Sequence, residues 1–248
     1  MADHQATAAQ IAEAGRDLDA RGLLASFEGN LSVRLDDSLI LTTPTGAHKG
    51  RLAPEEMVVV DASGTTVGQG KASSEVKLHL AIYEERADVG AIVHAHPPTA
   101  TGYAVAGVPL PHGALAESTA LFGCVPVAPY GTPSTAALAD SVREPVRTFD
   151  AILLANHGAV TVGQDLNEAK ERMVQLEHFA HIALVAHLLG GAQALEPDQI
   201  AEISQMRESA GGGPIPPVCY PAPEQAGTIT LSHDELVRLI ADAVRTIG

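Results

Sequence analysis

Two histidines one residue apart close the apolar run Ala91-Ile92-Val93, in the stretch AIVHAHPPTA over residues 91–100. Side chains i and i+2 of a strand share a face, so His94 and His96 present two imidazoles to one side. A third imidazole, His157, follows another apolar run, Ala151-Ile152-Leu153-Leu154-Ala155, in the turn Asn156-His157-Gly158. Three imidazoles with one coordination position left open form a catalytic-type zinc site, and imidazole also suits cobalt, nickel, manganese and iron. The alternative is three ordinary histidines among the 11 of this chain. A carboxylate, Glu75, stands after Ser73-Ser74 where a helix opens. The exposed N–H groups of a helix start favour an anion there, and a carboxylate in a first turn equally serves to cap its helix.

Strands and turns must bring these side chains together. The spacing predicts a helix over 5–24, a hairpin of strands 31–35 and 39–43 about the turn Asp36-Asp37-Ser38, and a strand over 57–60. A helix from an N-cap at Ser73 or Ser74 to about Arg86 follows, then the His94 strand and helices near 97–106 and 114–121. A short strand at 125–128, a helix over 133–146 and strands at 151–155 and 159–163 lead to the longest helix, 166–189. A helix over 197–208 comes next. Residues 1–210 read as one domain, a mixed sheet with helices on both faces. Residues 211–248 read as a C-terminal extension, with the linker Gly211-Gly212-Gly213-Pro214-Ile215-Pro216-Pro217 and a terminal helix from near Ser232.

Hydrophobic residues make up 46% of the chain and charged residues 18%, which suffices for a substantial core. Trp is absent and aromatics reach only 3%, so that core is aliphatic and rich in Ala. No apolar run reaches the roughly 18 residues of a membrane span, and the N-terminus lacks the apolar centre of a signal peptide. Cys124 and Cys219 are too few for a disulfide framework and fit a reducing compartment; the expectation is a cytoplasmic protein. The formal charge of −15, from 30 acidic against 15 basic residues, argues against nucleic acid or an anionic membrane as partner. A small anionic substrate stays admissible, because hydroxyls and backbone N–H groups bind phosphate without any lysine.

In order along the chain, G-N-L-S at residue 29, T-P-T-G at 43, S-S-E at 73, H-x-H at 94 and N-H-G at 156 resemble the class II aldolase/adducin family, most of all its L-fuculose-phosphate aldolase type, over roughly residues 5–190. The resemblance implies a three-layer α/β/α sandwich around a mostly antiparallel mixed sheet. It also implies a cyclic homotetramer with active sites between subunits. By the same resemblance His94, His96 and His157 are metal ligands, for Zn2+ with Mn2+ or Co2+ as alternatives. Glu75 is the acid/base residue, and Asn30, Thr45, Gly46, Ser73 and Ser74 hold the substrate phosphate.

The implied reaction is reversible cleavage of a ketose 1-phosphate, of the fuculose or ribulose type, to dihydroxyacetone phosphate and a short aldehyde through a metal-stabilised enediolate. A sugar-phosphate epimerase, a methylthioribulose-phosphate dehydratase and a metal-dependent decarboxylase on the same scaffold are alternatives, as is a non-enzymatic adducin-like head. Two departures from the pattern stand out. The L-fuculose-phosphate enzyme carries an interface tyrosine after a Pro-x-x-His stretch. Here Pro109-Leu110-Pro111-His112 is followed by Gly113, which leaves His112 and Glu117 as the nearby groups. The second tyrosine of that type lies in the C-terminal tail, where Tyr220 is the candidate.

Overall fold

The alternating apolar residues around Asp36 fold back on themselves. Strand β1 (Asn30–Arg34) pairs antiparallel with β2 (Leu39–Thr42), and the Asp36 carboxylate accepts the backbone N–H groups of Ser38 and Leu39 in the turn between them, as Asp does in tight turns. This is a computed structural model, which describes residues 4–213 and Ile215. Strand β3 (Val58–Asp61) joins β2, β4 (Ala91–Ala95) joins the other side of β1, and β7 (Gly158–Gly163) joins β4. Strand β6 (Ala151–Leu154) follows β7, and the two-residue β5 (Val127–Ala128) pairs parallel with β6. The seven strands run in the order β3-β2-β1-β4-β7-β6-β5. All pairs but the last are antiparallel, and every residue of β4 is buried, so the histidine strand is central.

Neighbouring residues of β4 separate the two layers of helices. Ala91, Val93 and Ala95 pack with Ile11, Leu18, Met173 and Leu176, which lie on helices α1 (Gln5–Ala20) and α6 (Leu166–Leu188). Ile92 packs with Leu78, Ile82, Leu138 and Val142, which lie on helices α2 (Val76–Glu85) and α5 (Ala136–Val146). Each such fully buried aliphatic side chain contributes roughly 1.5–3 kcal/mol. The result is the sandwich and mostly antiparallel sheet expected. Helix α3 (Pro98–Ala106) starts shortly after β4 and has no side-chain cap of its own. Glu177 of α6 supplies one, accepting the N–H groups of Thr99 and Ala100 at 2.9 Å, and so pins the chain just past His96.

The remaining helices are α4 (Ala116–Phe122) and α7 (Pro197–Ser209). Several boundaries differ from expectation. Helix α1 stops at Ala20. The strand at 125–128 shrinks to its last two residues, because Pro126 has no N–H to donate. Helix α2 begins at Val76 with Glu75 as its N-cap residue, so neither Ser73 nor Ser74 caps it. Two short 3-10 turns, Lys49–Arg51 and Pro54–Glu56, were not foreseen. Cys124 is buried after α4, and Cys219 lies outside the described residues. No helix among the described residues is long and apolar enough to cross a membrane. Tyr220 and the terminal helix expected near Ser232 lie outside the described residues, as does most of the 211–248 extension.

Under the site, α2 and β1 share a buried polar cluster. The Ser32 hydroxyl lies 2.6 Å from His79 Nδ1 and 2.9 Å from the Tyr83 hydroxyl. Burial, with the charge of His94 adding to it, pushes His79 down from about 6.5 to about 3. Between those values the unfolded chain binds a proton that the folded chain refuses. This contribution to stability is therefore full above pH 6.5 and is lost as pH falls towards 3. Urea unfolding of the metal-free protein is expected to lose about 2 kcal/mol between pH 7 and pH 5 through this group. His79→Leu is expected to remove that part of the pH dependence, and an unchanged slope would contradict the assignment.

Candidate active site

His94 shares the α2 face of β4 with Ile92 and is wholly buried. Its Nδ1–H donates to the Ala159 carbonyl at 2.9 Å, which leaves the Nε2 lone pair facing away from the strand. Two residues on, His96 turns the same way, its Nε2 3.2 Å from that of His94. His157 arrives from the β6–β7 turn, where Asn156 takes a left-handed φ of 55°, a conformation that Asn tolerates better than most residues. The next residue has to be Gly158, because a Cβ there would sit 2.5 Å from His96 Cδ2 and 2.6 Å from the Ala95 carbonyl oxygen. The three rings come together with centroids 4.8–5.0 Å apart.

Glu75 reaches into this triad from the start of α2. Its Oε2 lies 3.2 Å from His94 Nε2 and its Oε1 3.2 Å from His157 Nε2. Asn30, opposite His94 in the β1–β4 register, donates from Nδ2 to Glu75 Oε2 at 2.9 Å. Burial pushes the Glu75 carboxyl up, but hydrogen bonds and charge from His157 and His94 outweigh it and hold the group well below the usual carboxylate range. Burial, with the charges of His94 and His157 adding to it, pushes His96 down to about 3, so it stands as neutral imidazole with a lone pair to give. Its Nδ1 faces the Glu28 carboxylate at 3.3 Å.

These donors fit a divalent cation. The candidate ligand nitrogens of His94, His96 and His157 all lie within 4.8 Å of one another. Two nitrogens bound tetrahedrally to one ion at about 2.0–2.1 Å stand roughly 3.3 Å apart, close to the 3.2 Å between the His94 and His96 nitrogens. The Nδ1 of His157 is buried with no hydrogen-bond partner.

A cleft of about 220 Å³ opens over the group, and Asn30, Thr45, Gly46, Ser73 and Ser74 all line it with Glu75, His96 and His157. Ser73 Oγ accepts the Glu75 N–H at 3.3 Å. The expected site residues therefore share one cleft, except for Tyr220 and for His94, which is wholly buried behind it and reaches the group through Glu75 and His96. Two charged residues of the cleft, Glu28 and Lys49, were missed. Glu28 sits beside the G-N pair, but Lys49 stands in an ordinary-looking His-Lys-Gly turn whose only signal is its place three residues beyond Gly46.

His112 and Glu117 do not join the cleft within this chain. The Nδ1 of His112 faces the Gly123 carbonyl at 3.2 Å, and Glu117 borders a separate cleft with Arg86 and Arg172. Gly113 has φ +69°, and a Cβ on it would lie 3.0 Å from Ile200 Cδ1, so this position suits no tyrosine.

Residues 9–184 match the model of the class II aldolase and adducin N-terminal domain. The chain belongs to this family. Among class II aldolase relatives, 3-oxo-tetronate 4-phosphate decarboxylase of Haemophilus influenzae is 36% identical over 176 residues, 69% of this chain and 84% of the relative. The 5-methylthioribulose-1-phosphate/5-deoxyribulose-1-phosphate aldolase of Rhodospirillum rubrum is 31% identical over 210 residues, 84% of this chain and 95% of the relative. The crystal structure of L-fuculose-1-phosphate aldolase from Thermus thermophilus superposes with a TM-score of 0.68 at 34% identity, over 79% of this chain and all of that one. Class II aldolases depend on a metal ion, and in this member of the family the histidine triad could hold it.

Proposed function

We propose that this chain is an aldolase that cleaves a ketose 1-phosphate of the ribulose or fuculose type into dihydroxyacetone phosphate and a short aldehyde. The observation that carries this reading is the Glu75 carboxylate, set 3.2 Å from two imidazoles of the triad in the cleft that holds Thr45-Gly46 and Ser73-Ser74. A divalent cation on His94, His96 and His157, Zn2+ with Mn2+ or Co2+ as alternatives, would supply Lewis-acid stabilisation of the enediolate oxygens. The hydroxyls of Thr45, Ser73 and Ser74 and the amide of Asn30 offer donors to the substrate phosphate. Holding the phosphate fixes the reacting carbons beside Glu75 and lowers the entropic cost of orienting them.

In the cleavage direction the hydroxyl beyond the scissile bond loses its proton and becomes the aldehyde carbonyl. The bonding pair stays on the carbon beside the ketone, giving the enediolate, and Glu75 returns a proton to that carbon. Tyr220 is the proposed partner for the aldehyde oxygen. The cyclic tetramer implied by the resemblance, with active sites shared between subunits, belongs to the same proposal.

Gly113 favours a second reading, decarboxylation of a 3-oxo-tetronate 4-phosphate, the reaction named for the Haemophilus influenzae relative. Loss of carbon dioxide leaves the electron pair on the same carbon and yields the same enediolate. No hydroxyl has to give up a proton to become an aldehyde carbonyl, so the missing interface tyrosine would cost nothing. Incubation with 5-deoxyribulose 1-phosphate or 3-oxo-tetronate 4-phosphate, with each metal, separates the readings. The first is expected to give dihydroxyacetone phosphate and acetaldehyde. Product from the second substrate alone would transfer the assignment to decarboxylation, and product from neither would remove both.

A further inference from the structure

Lys49 is a cation in an unusual place. The residue is 3% exposed, in a chain of formal charge −15. Its Nζ donates to the Phe27 carbonyl at 2.6 Å. An ammonium has three donors, and no ion pair of Lys49 with a carboxylate within 4.0 Å occurs among the described residues. Burial pushes the ammonium down from its usual value, with the charge of Glu75 acting against that. A buried charge with a single neutral acceptor is costly unless something else pairs with it.

The surroundings say what that partner is. Lys49 lines the cleft of the histidine triad, three residues after Gly46 in sequence, and shares that cleft with Thr45, Ser73 and Ser74. Among the residues lining this cleft, Lys49 is the one lysine, and there is no arginine. The neutral hydroxyls can orient an anion but cannot balance its charge, and two carboxylates, Glu28 and Glu75, border the same space. The 3-10 turn Lys49–Arg51 packs against α1, where the Lys49 carbonyl lies against Gly15, so the side chain springs from a fixed backbone. The alternative is that the lysine only ties down the loop at Phe27.

We infer that Lys49 is the counter-charge for the substrate's phosphate group, a specificity residue that selects phosphorylated over unphosphorylated substrates. This rests on the reading of the cleft as a phosphorylated-ketose site. The commitment is to phosphate rather than to a substrate carboxylate, because the cleft that Lys49 lines also holds the neutral donors of Asn30, Thr45, Ser73 and Ser74, which suit the three terminal oxygens of a phosphate ester better than the two of a carboxylate.

The metal-loaded protein is titrated calorimetrically with glycerol phosphate, a phosphate monoester, and separately with glycolate, a carboxylate of similar size. Lys49→Gln keeps an N–H donor for the Phe27 carbonyl, and Lys49→Met keeps the volume without a charge. Both variants are expected to weaken glycerol phosphate by about 10- to 100-fold, the usual effect of losing a charge-assisted hydrogen bond. Glycolate affinity and metal content should stay within about threefold. If one variant does not fold, the other carries the comparison. Unchanged glycerol phosphate affinity would reduce Lys49 to a loop anchor, and selective loss of glycolate would make it a carboxylate reader; either result overturns the inference. So would a wild-type protein that binds no glycerol phosphate. Wild-type protein that binds the ester through Lys49 but cleaves neither candidate substrate would instead leave this assignment standing and remove the proposed reaction.

Discussion

In the His94→Ala chain, bound metal is expected to fall from about one equivalent to near none, and turnover to vanish with it. His94 is the most constrained member of the triad. It sits wholly buried on the central strand, its ring fixed by the bond from Nδ1 to the Ala159 carbonyl. Loss of an outer-shell partner typically costs 10- to 100-fold in metal affinity, so loss of a ligand should exceed roughly 100-fold. The strand itself should survive, because Val93 and Ala95 pack on the opposite face and the β4 pairings to β1 and β7 do not involve the imidazole. Elemental analysis of dialysed protein, alongside far-ultraviolet circular dichroism, checks both halves. A variant that kept its metal would show that the histidines meet for another reason.

Glu75→Gln is expected to separate metal binding from chemistry. The amide has the shape of the carboxylate and can still accept from Asn30, but it cannot take up and return a proton. Metal content should stay close to that of the wild type while kcat falls by about 10²- to 10⁴-fold, the range that general acid–base catalysis supplies. The change should fall on kcat more than on KM, since the phosphate-side donors are untouched. A variant with near-full turnover would move the proton-transfer role elsewhere.

Much of this arrangement was legible because strand periodicity carries side-chain direction. H-x-H at the end of an apolar run required two imidazoles on one face, and β4 presents them so. The N-H-G turn was legible as a motif, but its cause was not: Gly158 is dictated by the His96 ring packed against it, a contact made across neighbouring strands. The helix start at Glu75 was misplaced by a residue or two because Ser73 and Ser74 look like caps. In the fold Ser73 Oγ accepts the Glu75 N–H, so the serine fixes the main chain at Glu75, which is itself the N-cap residue. Lys49 escaped notice for a different reason. A lysine in a polar turn reads as solvated, and only the packing of that turn on α1 buries it. The role of Gly113 likewise became visible only once Ile200, far along the sequence, was seen to lie against it.

The central claim is that Glu75 moves a proton at the carbon beside the ketone of the dihydroxyacetone phosphate fragment, which both proposed reactions share. Proton nuclear magnetic resonance of dihydroxyacetone phosphate in D₂O with the metal-loaded protein tests it without any second substrate. One of the two hydroxymethyl hydrogens is expected to exchange for deuterium, and the Glu75→Gln chain is expected to leave both in place. Cleavage of a substrate by protein that catalyses no such exchange, or exchange that persists in the Gln variant, would contradict it.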